Sequence, residues 1–218
     1  MSKILVATPV RQDPKILAAY LFSLTQLEQD GLDIEYCFVD DNESPLSSKI
    51  LEGFSKQYPT TILPKIELDV AYQKTTDNQP HWNEKLIWKV ASYRNSLIQK
   101  CLKEGFDGLF MVDSDLILAP PTLMQLIAAK KEIISEIFWT TWREDEAPMP
   151  QVWMYNEYDH AHPALPQEKR DEIGERLLQK WTKPGVYPVG GLGACTYFSR
   201  TAFEKGANYP VSYTHLTL

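Results

Sequence analysis

Apolar positions follow two rhythms along the chain: short unbroken runs, and longer stretches spaced three or four residues apart. Ile4–Ala7 is a run of strand length that stops at Thr8-Pro9, and Ile34–Val39 and Leu109–Val112 are two more. Runs this short and this apolar predict strands buried on both faces. Helical patterns lie between them. Residues Pro14–Glu28 carry Ile16, Leu17, Tyr20, Leu21, Leu24 and Leu27, and Gly31 closes the pattern. Ser44-Pro45 is an N-cap and first-turn pair for a helix through Leu46, Ile50, Leu51 and Phe54. The longest pattern, Glu84–Glu104, puts Leu86, Ile87, Val90, Leu97, Ile98, Cys101 and Leu102 on one side and ends at Gly105.

The second half is less regular. Pro120-Pro121 opens a helix through Ala129, Ile133–Trp142 reads as a strand, and Arg143–Pro166 is a long polar, proline-bearing stretch. A helix over Glu168–Trp181 follows, then Gly190–Gly193, a strand at Ala194–Phe198 and a helix starting near Arg200. Between Thr60 and Pro80 the pattern is ambiguous, with Ile66–Val70 a candidate strand and Thr75–Pro80 a polar loop. Strands alternating with helices predict an α/β fold with a mostly parallel central sheet.

Composition narrows the function classes. The 218 residues are 44% hydrophobic, enough for one large domain without covalent staples. The net charge of −7 (22 − 29) argues against a nucleic-acid backbone as partner, which needs clustered Lys and Arg. A small nucleotide stays open, because a metal can neutralise its charge locally. No run approaches the ~20 apolar residues of a membrane span. The N-terminus shows no signal-peptide core, and the expectation is a cytoplasmic protein. Cys37, Cys101 and Cys195 are widely spaced in apolar or small-residue contexts and read as buried free thiols.

The chemistry concentrates where strands end. Ile34–Val39 runs into Asp40, Asp41 and Asn42, and Leu109–Val112 runs into Asp113 and Asp115. In extended geometry, residues i and i+2 point the same way, so Asp113 and Asp115 can face one point. Two close carboxylates repel unless a cation lies near them, and Mg²⁺ or Mn²⁺ takes one or two carboxylates plus phosphate oxygens and water. The alternative is a loop with two solvated acids. Asp40 or Asp41 can accept from a nucleobase N–H or ribose hydroxyl; alternatively Asp41 and Asn42 only turn the chain into the next helix. Arg94 either reaches toward a base or phosphate or belongs to a solvated helix face. Tyr158-Asp159-His160-Ala161-His162 has a metal-like composition but lies in the proline-rich stretch, where a lid or acceptor loop is the expected reading, and His81 is a weaker candidate. Gly190-Gly191-Leu192-Gly193 lacks the glycine that a dinucleotide fingerprint requires at position 196, which is Thr196. These glycines are expected to allow a close approach to a bound sugar or a tight turn.

Taken in order, ILVATPVR at 4–11, FVDDNES at 38–44, YRN at 93–95 and MVDSD at 111–115 resemble the GT-A-fold glycosyltransferases, family 2-like. GGLGACTYFSRTAF at 190–203 is similar to the acceptor-side wall of that family, so the resemblance covers nearly all of residues 3–209. It implies a Rossmann-like three-layer fold that binds a nucleotide-diphosphate sugar with Mn²⁺ or Mg²⁺ and passes the sugar to a glycan, lipid or protein hydroxyl with inversion. Thr8, Pro9 and Arg11 would line the nucleotide pocket, Asp41 beside Asp40 would contact the base, and Arg94 would lie near base or pyrophosphate. Asp113 and Asp115 would form the D-x-D pair, Asp115 the more direct metal ligand. Residues 210–218, ending VSYTHLTL, offer no carboxylate for a general base. They look unlike the rest of the fold and read as a non-native or truncated tail after one domain at 1–209. Glu144, Asp145, Glu146, Glu157 and Asp159 are the remaining acids for that role. Rival readings are a nucleotidyltransferase, disfavoured because TPVRQDP has no glycine, and a non-catalytic sugar-nucleotide or glycan-binding module.

Overall fold

The structure, a computed structural model, describes residues 1–66, 82–141, 147–152, 165–191 and 193–209. In chain order it forms β1 (Ser2–Val10), α1 (Pro14–Thr25), β2 (Leu32–Asp40), α2 (Pro45–Ser55), β3 (Thr60–Pro64), α3 (Glu84–Lys103) and β4 (Gly108–Val112). Then follow α4 (Thr122–Ala128), β5 (Ile133–Ser135), β6 (Trp139–Thr140), β7 (Met149–Pro150), α5 (Gln167–Trp181), β8 (Cys195–Ser199) and α6 (Arg200–Glu204).

Local chemistry sets the helix ends. The Asp13 carboxylate accepts from the Lys15 amide at 2.8 Å ahead of Pro14, and Asn83 caps α3 by accepting from the Leu86 amide at 3.0 Å. At the far end of α3, Gly105 takes a φ of +74° and the Phe106 amide returns to the Cys101 carbonyl at 3.1 Å. Only a residue without a Cβ adopts that backbone cheaply, which is why the helix stops there. Ser44 does cap α2, but through its carbonyl, which accepts from the Ser47 amide.

One expectation needs correction, and one ambiguous region resolves in part. The region left open from Thr60 contains a strand at Thr60–Pro64, while residues 67–70 of the candidate Ile66–Val70 and the loop at Thr75–Pro80 lie outside the described residues. Thr60-Thr61-Ile62-Leu63 is β-branched enough to pair with β2 as an edge strand, and Pro64 ends it where no further ladder is needed. The stretch Ile133–Trp142 is two short strands. Ile133–Ser135 joins the central sheet, whereas Trp139–Thr140 pairs antiparallel with Met149–Pro150, so the chain must break direction between them. The polar stretch Arg143–Pro166 therefore contains β7; its residues 143–146 and 153–164 lie outside the described residues, and so do Trp142, His81 and 210–218.

The central sheet has six strands in the order β3-β2-β1-β4-β8-β5. Strands β1, β2, β3 and β4 pair in parallel, in registers that run Ser2↔Leu32 to Val10↔Asp40 and Ile4↔Gly108 to Ala7↔Met111. Chain order runs outward from β1 to β3, then α3 carries the chain back so that β4 lies on the other side of β1. That reversal is a topological switch point, and ligands in open α/β sheets bind beyond the strand ends there. Beneath α3 the core joins Leu5, Ala7, Cys37, Val39, Tyr93, Leu97, Ile98, Cys101, Phe106, Leu109, Met111, Phe198 and Phe203. All three cysteines are buried and free, and burial pushes the Cys37 and Cys101 thiols up to about 12.

The chain divides into two compact units. The first comprises Met1–Ile134 and the segment from Tyr197; the second is Ser135–Thr196. In the first, Gly108 is required by the Tyr197 ring, since a Cβ there would stand 2.6 Å from it. In the second, α5 ends on Trp181, whose ring meets Tyr187 edge-on, and the Ser135 and Thr196 hydroxyls hydrogen-bond at 2.6 Å. Among the described residues no helix is long and apolar enough to cross a membrane.

Candidate functional site

The carboxyl ends of β1, β2 and β4 bring together most of the sequence-predicted residues, and α3 supplies the rest. At the end of β1, Thr8 is buried and its hydroxyl donates to the Pro9 carbonyl at 3.3 Å, leaving Pro9 half-buried. Pro9 lies past the last β1–β4 rung, Ala7↔Met111, where only β2 still pairs. Arg11 leaves the strand end to pair with the exposed Glu43 carboxylate, and its Nη1 lies 3.5 Å from the Asp41 carbonyl.

The two acids after β2 have different surroundings. Asp40 makes the local turn, its Oδ1 accepting from the Asn42 amide at 3.1 Å and the Asn42 side chain at 2.7 Å. Asn42 in turn accepts from the Gln12 amide at 2.9 Å, tying this turn to the loop after β1. Asp41 points inward. Its side chain is 3% exposed, and its Oδ1 accepts from Lys89 Nζ at 2.8 Å and from the Tyr93 hydroxyl at 3.0 Å. Tyr93 also accepts from the Ile66 amide at 3.2 Å, and burial beside Asp41 holds its hydroxyl well above the ordinary phenol range. A buried carboxylate needs such partners, because an unpaired one costs several kcal/mol.

Lys89 was not anticipated by the sequence reading. Its signal is positional: Leu86, Lys89, Tyr93 and Leu97 share one helical stripe, and all four are buried, while Ile87, expected on that face, is 51% exposed. Lys89 and Tyr93 lie four residues apart, so they stack on one face of α3 and meet the same oxygen.

At the end of β4 the backbone turns at once. The Leu116 amide donates to the Asp113 carbonyl at 3.2 Å, so Asp113 to Leu116 form a turn and not the extended segment expected for D-x-D. The two carboxylates nonetheless feel one another. Asp113 is pushed up to about 6, chiefly by desolvation, with Arg94 opposing and Asp115 adding to the rise. By area its side chain remains 42% open, while Asp115 is exposed. Arg94 donates from Nη2 to Asp113 Oδ1 at 3.0 Å. Its guanidinium lies 5.1 Å from the centre of the Tyr209 ring, and Asn95 holds the Tyr209 backbone with two hydrogen bonds of 2.8 and 3.0 Å. Three consecutive residues of α3 thus reach three places: Tyr93 to Asp41, Arg94 to Asp113, Asn95 to Tyr209.

Asp113 and Asp115 are hard oxygen donors in like-charge proximity, which suits a hard divalent cation. Two carboxylates leave most of a six-ligand shell to water and to a ligand's own oxygens, and among the described residues no cluster of three metal-binding side chains exists. Gly193 has open space where a Cβ would stand and no positive φ, so neither a close protein contact nor a left-handed turn requires it. Tyr158–His162 and the acids at 144–146, 157 and 159 lie outside the described residues.

Neither a protein-family model nor a curated protein sequence matches the chain. Solved structures do. The chain is similar to residues 1–349 of S. aureus TarS in complex with UDP, at a TM-score of 0.55 and 13% identity over 99% of this chain and 52% of that one. It is also similar to TarS 1–349 in complex with UDP-GlcNAc, at a TM-score of 0.53 and 13% identity over 96% of this chain and 49% of that one. The mannosyltransferase PcManGT from Pyrobaculum calidifontis, in complex with GDP-Man and Mn²⁺, aligns at a TM-score of 0.50 and 13% identity, covering 96% and 48%. The protein carries a Rossmann-like glycosyltransferase fold of the GT-A type. It spans about half the length of these structures.

Proposed function

We propose that this chain binds a nucleotide-diphosphate sugar at the carboxyl ends of β1, β2 and β4 and serves transfer of the sugar to an acceptor hydroxyl, in the manner of inverting family 2-like enzymes. One observation carries the reading. The switch point of a glycosyltransferase fold is where Pro9, Arg11, Asp40, Asp41, Arg94, Asp113 and Asp115 gather, drawn from four separate elements. Neighbours of the same fold were solved with UDP, UDP-GlcNAc or GDP-Man, which supports a nucleotide sugar as the ligand class.

In this reading Pro9 and Arg11 form the outer wall of the nucleotide pocket, with Thr8 behind them holding the strand end. Asp40 forms the base side, with Asp41 behind it, turned inward and held by Lys89 and Tyr93. Arg94 faces the diphosphate. Asp113 and Asp115 hold the divalent cation, which when bound supplies charge stabilisation to the departing nucleoside diphosphate. The acceptor hydroxyl attacks the anomeric carbon from the opposite face as the bond to the nucleoside diphosphate breaks, and a general base, unassigned among the residues named above, takes its proton. The test is calorimetric titration with UDP, GDP and their sugars, with and without Mn²⁺, followed by a transfer assay. Metal-dependent binding of one nucleotide series is expected. Binding of none, with or without metal, overturns the reading, and binding without transfer to any acceptor favours a sugar-nucleotide-binding module.

A further inference from the structure

We infer that Arg94 is a built-in substitute for the divalent cation: in the metal-free protein it neutralises Asp113, and it yields that carboxylate to the metal and turns to the diphosphate when the donor binds. The inference rests on the proposed metal role of Asp113 and Asp115, and goes beyond it by assigning the free state and the exchange. Four observations support it. The guanidinium makes its 3.0 Å contact to Asp113, two residues from Asp115 in the same turn, so positive charge stands on the acid that the proposed cation would take. Both partners keep contact with solvent, at 21% and 42% exposure, so the pair is not locked in a dry interior as Lys89–Asp41 is, at 6% and 3%. Half-exposed pairs hold weakly and are exchangeable. The arm also has a second support. The Tyr209 ring lies 5.1 Å from the guanidinium, and Asn95 fixes the Tyr209 backbone at both its N–H and its C=O. Stacking on a face tolerates rotation in the ring plane, so the guanidinium can leave Asp113 while staying on Tyr209. Finally, a guanidinium presents a fork of donors matched to phosphate oxygens, which a merely neutralising Lys would not.

A permanent structural pair and a cation substitute predict opposite signs when Arg94 is removed. A structural pair orders Asp113, so its loss weakens metal binding. A substitute competes for Asp113, so its loss strengthens it. The experiment titrates Mn²⁺ alone, without nucleotide, into wild type, Arg94→Met and Arg94→Lys, following free Mn²⁺ by electron paramagnetic resonance. Arg94→Met is expected to bind Mn²⁺ roughly three- to fivefold more tightly than wild type, and Arg94→Lys to stay within about twofold of wild type. With Mn²⁺ saturating, Arg94→Met should bind the preferred nucleoside diphosphate about tenfold more weakly. Equal or weaker Mn²⁺ binding by Arg94→Met, with wild type binding normally, overturns this inference and leaves the proposed metal site standing. Absence of Mn²⁺ binding in all three proteins overturns the metal site itself. Should Arg94→Met not fold, Mg²⁺ titration of wild type by nitrogen NMR decides: the Arg94 guanidinium resonance should move with Mg²⁺ in wild type and stay still in Asp113→Asn, and an unmoved resonance in wild type that binds Mg²⁺ contradicts the exchange.

Discussion

The acidic ends of β2 and β4 read alike in the sequence, an apolar strand running into paired aspartates, yet they are built for different work. At β2 the inward acid, Asp41, is 3% exposed and held by an ammonium and a phenol from α3. At β4 both acids stay in reach of solvent, and a single guanidinium offsets their repulsion. The difference lies in what each strand end meets. Beyond β2 the carboxylate turns under the loop toward α3, where the buried stripe supplies two donors one turn apart. Beyond β4 the chain turns at Asp113, and the pair remains at the mouth of the switch point. One acidic end is therefore an anchor for the helix, while the other stays open to solvent with a guanidinium on Asp113.

Breaking the β2 anchor should have the largest effect. Asp41→Asn or Lys89→Met breaks the buried 2.8 Å ion pair from one side, with an expected loss of about 3–5 kcal/mol of unfolding free energy in urea titrations. Replacing both, as Asp41→Leu with Lys89→Met, should recover a good part of that loss. A double variant that loses the sum of the two single effects would mean the pair does not act as a unit. Tyr93→Phe removes one donor and spares the ion pair, so the expected cost is smaller, about 1.5–3 kcal/mol for a hydrogen bond to a charged group.

The β4 end should respond weakly and in the other direction. Asp113 holds its proton more tightly in the native protein than in the unfolded chain, with a native value near 6 against an ordinary 3.8. In metal-free buffer this group thus disfavours folding above pH 6, and the penalty fades as pH falls through 6 toward 4. Asp113→Asn should be as stable as wild type or slightly more so at pH 7, by less than about 1 kcal/mol given the solvent screening at 42% exposure. The two proteins should converge near pH 4. A clear loss of stability at pH 7 would make Asp113 a second structural anchor and erase the contrast.

Much of this was legible from the chain alone. The apolar spacing of residues 84–104 and the closing Gly105 matched α3 nearly to the residue, because the structure adds an Asn83 cap at one end and a left-handed Gly105 at the other. The acidic strand ends were legible for the same reason, as breaks in apolar runs. What the pattern could not show is which acid turns inward. Lys89 reads as a solvated position until Asp41, 48 residues earlier, is placed beneath it, and the Asn95–Tyr209 clamp joins residues 114 apart. Such pairings depend on how α3 crosses the sheet. The turn at Asp113 was missed because extended geometry was carried past the end of β4 to Asp115, where the chain already turns.

The division of labour between the two ends is tested most directly at Asp115, which belongs to neither the Lys89–Asp41 anchor nor the Arg94–Asp113 pair. Titration calorimetry with UDP and GDP, with and without Mn²⁺, would compare wild type with Asp115→Ala alongside metal-free thermal unfolding. The account predicts that the metal-dependent part of nucleotide binding disappears in the variant while its metal-free Tm holds or rises slightly, since one of two repelling charges is gone. Unchanged metal-dependent binding in a folded Asp115→Ala protein would contradict it.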